Sequence, residues 1–425
     1  MPTLDFHPTG RHFLQVPGPS PVPERILRAV AQPTIDHRGP EFGQLGLAIL
    51  DGMRRIFRTR HPVAIYPASG TGAWEAALCN TLSPGDRVLM YETGHFASLW
   101  RSMADRLGLD TEVLAHPGPD ALLPDAPHWR RGAQPDMIED RLRRDTEGRI
   151  RAVCVVHNET STGVASDVAS VRTAIDAARH PALLMVDTIS GLACMDYRHD
   201  DWGVDVSVGG SQKGLMLPPG LSFNALSPRA LEASRRSRLP KSYWAWEPIL
   251  RMNQDGYWPY TPSTNLLYGL AESLDGLLGQ GLENVFARHR RWAAGVRAAV
   301  RAWGLPILCA EPEAFSPVLT GVLMPGGVDA DALRRLVHAR FDLSLGTGLG
   351  RLQGRMFRMG HLGDTNDLTL LAMIAGVEMG MKLSGIALAG SGMQAAMDHF
   401  ASEPAGAGQD GAAQLAAGRF SPSRA

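Results

Sequence analysis

Short apolar runs alternate along the chain with stretches of helical spacing. The runs fall at 63–67, 87–90, 152–157, 182–186 and 204–208 and read as buried strands. Helical patterns fall at 24–31, 73–82 and 168–179, and Ser83-Pro84-Gly85-Asp86 reads as a turn. Apolar strands separated by helices predict an α/β fold, a mostly parallel sheet with helices on both faces. In such sheets ligands bind at the carboxyl ends of the strands. From Asn265 the texture changes. One long helical stretch is expected over 265–303, then strand-like runs at 317–324 and 355–359 and a final helix at 367–384. The expected organisation is an N-terminal arm (1–20), a large domain (21–264), a smaller C-terminal α+β domain (265–400) and a tail (401–425). The Ala/Gly/Ser/Gln-rich composition predicts that the tail is disordered.

Composition narrows the function classes. The chain has 425 residues, a length that suggests two or three domains. Its 42 basic and 43 acidic residues nearly cancel, which argues against a nucleic-acid or anionic-membrane binder that relies on bulk charge. Cys79, Cys154, Cys194 and Cys309 are scattered without a CxxC pair. This excludes a disulfide scaffold or a zinc ribbon and fits a reducing, cytoplasmic location. No secretory leader is read at the N-terminus, no transmembrane segment anywhere, and no bound metal is expected.

Only three of the 42 basic residues are lysine: Lys213, Lys241 and Lys382. Arginine cannot do amine chemistry, so each lysine bears examination. Lys213 follows an apolar strand within Gly209-Gly210-Ser211-Gln212-Lys213-Gly214, a tight loop that permits close ligand approach. A lysine there can form a Schiff base with an aldehyde. Asp187 ends another apolar strand, which aims its carboxylate at the ligand crevice. Lysine and carboxylate together match the needs of pyridoxal phosphate, an amine for the aldehyde and an anion for the pyridinium nitrogen. Ser69-Gly70-Thr71-Gly72 lies between a strand and a helix, where backbone N–H groups and the helix N-terminus suit a phosphate. This turn is neither a Walker A loop nor GxGxxG.

These residues sit in segments that resemble the class V, fold type I pyridoxal-phosphate-dependent aminotransferases, closest to their glyoxylate-accepting branch. The segments run in order over about residues 10–400. They are PGPSPVPERIL (17–27), HRGPEF (37–42), ASGTGAWEAAL (68–78), WRRG (129–132), AVCVVHNETSTGV (152–164), MVDTISGLA (185–193), GSQKGLMLPPGLSF (210–223), YTPSTNLLYGL (260–270) and FRMGHLGD (357–364).

The resemblance implies roles at the matching positions. Lys213 is similar to the Schiff-base lysine and Asp187 to the partner of the pyridine nitrogen. Ser69, Gly70, Thr71 and Gln212 are similar to the phosphate cradle. Thr160 matches the residue bonded to the ring hydroxyl, and Phe96 the aromatic stacked on the ring. Tyr260, Thr261 and Thr264 lie in the segment that reaches the neighbouring subunit's phosphate. Arg358 matches the clamp on the substrate α-carboxylate, a fork suited to bidentate binding. Arg355, three residues earlier on the same strand pattern, would face the other side and lie in solvent. Arg38, beside His37, would line the substrate entrance. The implied activity is transamination from an amino acid, L-serine favoured over aspartate or alanine, to glyoxylate. Glycine and a 2-keto acid (hydroxypyruvate from serine) would form, in a homodimer or dimer of dimers with shared sites.

Two features depart from the family's pattern. The Pro-rich stretch 116–128 is longer than expected and is placed at the surface, and the C-terminal tail is extra. Two rivals remain. A lyase or cysteine desulfurase is possible on the same fold, but a desulfurase needs an exposed nucleophilic cysteine on a flexible loop, and no cysteine here lies in such a context. The other rival is a non-catalytic binding protein of this fold.

Overall fold

The computed structural model describes residues 10–402. Its centre is a seven-stranded sheet in the order 63–66, 222–226, 206–210, 183–187, 150–156, 87–91, 110–114. The strands Arg87–Tyr91, Asp110–Leu114, Ile150–Val156, Leu183–Asp187 and Val206–Gly210 pair in parallel. Ser222–Leu226 runs antiparallel to both Val206–Gly210 and Val63–Tyr66. Strands 63–66, 183–187 and 206–210 are buried at every position. This explains their continuous apolar runs, since both faces of the sheet are covered.

The covering helices show the usual start and stop signals. Helix Pro40–Phe57 opens on a first-turn proline and closes on Arg58 in the left-handed region. Helix Val168–Ala177 is capped by Asp167, whose side chain accepts from Ser170 N. Helix Gly70–Thr81 begins three residues earlier than the pattern at 73–82 suggests, so Gly70, Thr71 and Gly72 form its first turn.

The single helix expected over 265–303 is two helices, Thr264–Gln280 and Leu282–Ala302. Gly281 separates them at φ +83°, a conformation that favours glycine and breaks the helical path. Leu267, Leu270, Leu274, Leu277 and Val285 belong to the core of the large sheet. Further along the second helix, Trp292, Val296 and Val300, with Trp303 just beyond its end, join a second core with Leu343, Phe357, Met373 and Val377. One helix therefore serves both cores.

The second core is built on a four-stranded sheet in the order 13–15, 343–347, 356–360, 319–323. Phe13–Gln15 pairs in parallel with Leu343–Leu345, so this part of the N-terminal segment is an integral strand of that sheet. Arg355 does not lie free in solvent: it pairs with Asp125 at 3.0 Å. The Pro-rich stretch is likewise anchored. Leu123 and Ala126 are buried with Leu308, Leu323, Leu352 and Met356. The last helix, Gly392–Ser402, includes the first two residues expected in the tail, and the rest of the tail lies outside the described residues. No helix among the described residues is long and apolar enough to cross a membrane.

Candidate active site

Loops from the carboxyl ends of five sheet strands carry most of the candidate residues. Ser69–Thr71 follow strand 63–66, Phe96 follows 87–91, and Thr160 follows 150–156. Asp187 ends strand 183–187, and Lys213 follows 206–210. The topology itself thus converges them.

Lys213 is buried, with 8% of its surface exposed. Its Nζ donates to the Pro17 carbonyl at 2.7 Å. Burial, with a further push from the Arg358 charge, lowers its pKa to about 8, while Asp187 opposes the shift. The N-terminal segment crosses directly over this turn. Ser20 N donates to Gln212 O at 3.0 Å, and Ser20 Oγ to Lys213 O at 2.9 Å. Gly18 is required there. A Cβ at this position would fall 2.3 Å from the Lys213 Cδ, and its φ is +101°.

Asp187 is also buried. Its Oδ1 accepts from Ile189 N at 2.7 Å and its Oδ2 from Trp74 Nε1 at 3.0 Å. Burial nonetheless raises its pKa to about 7. A cationic partner would be strongly favoured beside such a group.

The phosphate-cradle candidates form a compact set. Ser69 precedes helix Gly70–Thr81 without capping it through its side chain, and Ser69 and Thr71 are exposed while Gly70 is buried. Across from them, Gln212 Oε1 is buried and accepts no hydrogen bond. A Cβ on Gly210 would stand 3.2 Å from that oxygen and 3.8 Å from Gly70 N, in the space the glycine leaves open. Pyridoxal phosphate fits these residues. Its phosphate matches the helix N-terminus, its ring nitrogen Asp187, and its aldehyde the Lys213 amine.

Arg358 lies on the strand Met356–Gly360, buried at 6% exposure. Its cross-strand neighbours are Gly321 and Gly346, and a Cβ on Gly346 would stand 3.2 Å from the Arg358 Nε, so that glycine leaves room for the guanidinium stem. Nε donates to Thr347 O at 2.7 Å and Nη1 to Thr160 O at 2.6 Å. Two backbone carbonyls thereby hold the fork in one orientation. Thr160 is buried, and Phe96 is half-buried at the start of helix His95–Arg106.

The remaining candidates lie apart. Tyr260 stacks on Tyr243 at 4.5 Å, with its hydroxyl 3.5 Å from the Ile65 carbonyl. Thr261 is exposed, and Thr264 starts helix Thr264–Gln280. Arg38 is exposed, and its backbone N–H donates to Asp36. Among the described residues no group of three or more His, Cys, Asp or Glu could hold a metal ion.

Two residues that the sequence reading passed over belong to the site. Glu159 is fully buried. Its carboxylate accepts from Phe96 N (3.4 Å), Ala97 N (3.1 Å), Ser161 N (3.0 Å) and Ser161 Oγ (2.6 Å). It satisfies the first turn of helix His95–Arg106 from another loop, which fixes Phe96 relative to Thr160. Trp74 is the second, through its bond to Asp187. Glu159 stands in the quoted HNETSTG segment, where an acid between an apolar strand and a Ser/Thr/Gly loop was the available signal. Nothing in the local pattern around Trp74 marks it.

Comparison with known proteins accords with this geometry. The family described as Aminotransferase class-V matches residues 18–314. The chain is 43% identical to the L-aspartate–glyoxylate aminotransferase of Paracoccus denitrificans, over 92% of this chain and 97% of that protein. It is 44% identical to the serine–glyoxylate aminotransferase of Methylorubrum extorquens, over 93% and 97%. Among solved structures, the ureidoglycine–glyoxylate aminotransferase of Bacillus subtilis superposes with a TM-score of 0.82 at 26% identity, covering 93% of this chain and 99% of that one. A fold with this strand order, a buried lysine and carboxylate at its carboxyl edge and relatives of this kind lead to one assignment: the chain belongs to the class V aminotransferases, enzymes that use pyridoxal phosphate.

Proposed function

We propose that the protein transfers an amino group from an amino acid, L-serine favoured, to glyoxylate, giving glycine and a 2-keto acid. The observation that carries this reading is the buried Lys213 amine, held near a pKa of about 8 beside Asp187 and Arg358. Pyridoxal phosphate, when bound, would supply an aldehyde for the amines and a ring able to accept the electrons released at Cα. Arg358, steadied by the Thr160 and Thr347 carbonyls, takes the substrate α-carboxylate and so orients Cα. Lys213 Nζ removes the Cα proton, and a pKa close to neutrality suits an amine that must both take and return it. Asp187 would keep the ring nitrogen protonated. Ser69, Gly70, Thr71 and Gln212 would hold the phosphate, Thr160 would bond the ring hydroxyl, and Phe96 would cover the ring face.

Relatives named for serine and for aspartate resemble the chain almost equally, which makes aspartate an alternative donor, and a solved structure named alanine–glyoxylate aminotransferase, 28% identical, keeps alanine as another. The desulfurase rival needs an accessible thiolate, whereas Cys79, Cys154, Cys194 and Cys309 are buried, with their thiol pKa values raised by burial. We further propose a homodimer in which the segment 260–264 reaches the neighbouring subunit's phosphate through Tyr260, Thr261 or Thr264 and Arg38 lines the substrate entrance, in a cytoplasmic setting.

The test is an absorbance titration of the purified, cofactor-loaded protein with L-serine, L-aspartate and L-alanine. The true donor bleaches the near-visible band, and glyoxylate restores it. In Lys213→Ala the band and the turnover are lost. Bleaching that persists in Lys213→Ala refutes the lysine assignment, and a wild type unresponsive to all three donors refutes the function.

A further inference from the structure

The Asp187 carboxylate is gripped from two sides. Ile189 N holds Oδ1 from the same loop, and Trp74 Nε1 holds Oδ2 from helix Gly70–Thr81. That helix also carries the proposed phosphate cradle at its first turn. Trp74 is 2% exposed and stacks on Trp100, ring centroids 5.9 Å apart at 14°. The indole is therefore locked, and its N–H has a fixed direction.

We propose that Trp74 is a positioning residue for the cofactor: acting through Asp187, its N–H supports the carboxylate's negative charge and aims it at the ring nitrogen. This rests on the cofactor reading above. The same bond ties the cradle helix to the strand that carries Asp187, so both ends of the cofactor are gripped by one rigid unit.

The surroundings of Asp187 make that donor necessary. Burial opposes ionisation, and the Glu159 charge adds to the opposition. Tyr197 lies close enough to Asp187 for its own ionisation to be resisted. Lys213 and the two N–H donors work the other way. Among the described residues only the two N–H donors hydrogen-bond to the carboxylate, Ile189 N at 2.7 Å and Trp74 Nε1 at 3.0 Å, which makes them its direct support. A buried carboxylate deprived of one donor loses a charge-assisted hydrogen bond. Each unit of pKa displaced by that loss is a tenfold penalty on binding a cation there.

The test measures cofactor affinity by equilibrium dialysis of the apoprotein with two ligands. One is pyridoxal 5'-phosphate. The other is its 1-deaza analogue, in which a C–H replaces the ring nitrogen. Trp74→Phe keeps the stack on Trp100 and removes the N–H. Affinity for pyridoxal phosphate is expected to fall about tenfold, while affinity for the analogue is unchanged or improved. Trp74→His places a ring nitrogen where the indole Nε1 stands and is expected to recover most of the loss. Benzothienylalanine at position 74 has the shape of tryptophan without the N–H. It must behave as Trp74→Phe does and serves in its place if that variant fails to fold. Equal weakening of both ligands would reveal a packing role only and overturn the proposal, as would no weakening of either. If the unmodified protein binds no pyridoxal phosphate, the underlying cofactor reading falls first.

Discussion

Replacing Arg358 by lysine keeps the charge and removes the fork. The guanidinium donates to two backbone carbonyls, Thr347 O at 2.7 Å and Thr160 O at 2.6 Å, and still presents N–H groups to a substrate carboxylate. A lysine amine cannot span both carbonyls and also make a bidentate contact. At least one hydrogen bond to a charged group is lost, worth about 1.5–3 kcal/mol. That corresponds to a fall of roughly 10- to 150-fold in kcat/KM for every amino donor. The assay is stopped-flow bleaching of the near-visible band against donor concentration, which isolates the first half-reaction. Cofactor affinity should hold within about twofold, because Arg358 is assigned to the substrate. Arg355→Lys is the control. Arg355 sits just before the same strand but pairs with Asp125 at the surface, and its replacement should change nothing. A donor dependence in Arg358→Lys within twofold of wild type would refute the carboxylate-clamp assignment.

Gly18→Ala should weaken cofactor binding at least tenfold, because the new Cβ meets the Lys213 side chain at 2.3 Å. Gly85→Ala pays the same kind of positive-φ cost, about 1–3 kcal/mol, with nothing within 4 Å, and should leave binding intact. Equal cofactor affinities in the two variants would disprove the close approach over Lys213. The melting temperature should fall as pH drops from 7 to 5. Burial lowers the pKa of His157 and His199 from 6.5 to about 4, that of His289 to about 3, and that of His361 well below 6.5. In that window the unfolded chain binds protons that the folded one refuses, so stability declines with acidification. Asp187 and Asp205, both raised, act in the opposite sense but are fewer. A flat or rising profile in thermal denaturation over this range would contradict the sign.

The sequence by itself determined much of this protein. Strands with both faces buried must be apolar throughout, so the runs at 63–67, 152–157 and 182–186 were legible without coordinates. A lone lysine among glycines and an aspartate at a strand end were legible too, because loops at the carboxyl edge of such a sheet are where chemistry is placed. Other features needed the tertiary structure. The antiparallel strand Ser222–Leu226 carries no local mark of its direction. Gly281 could have been an ordinary helical glycine until its φ of +83° split 265–303 into two helices. That Phe13–Gln15 would pair with Leu343–Leu345, more than 300 residues away, follows from hydrogen bonding that local pattern does not encode. Nor could spacing show that Glu159 would be buried against a helix N-terminus contributed by Phe96 and Ala97, or that Trp74 would reach Asp187 across 113 residues. Composition and periodicity report what each segment must bury. Which buried donor meets which buried acceptor is decided only when the segments are packed together.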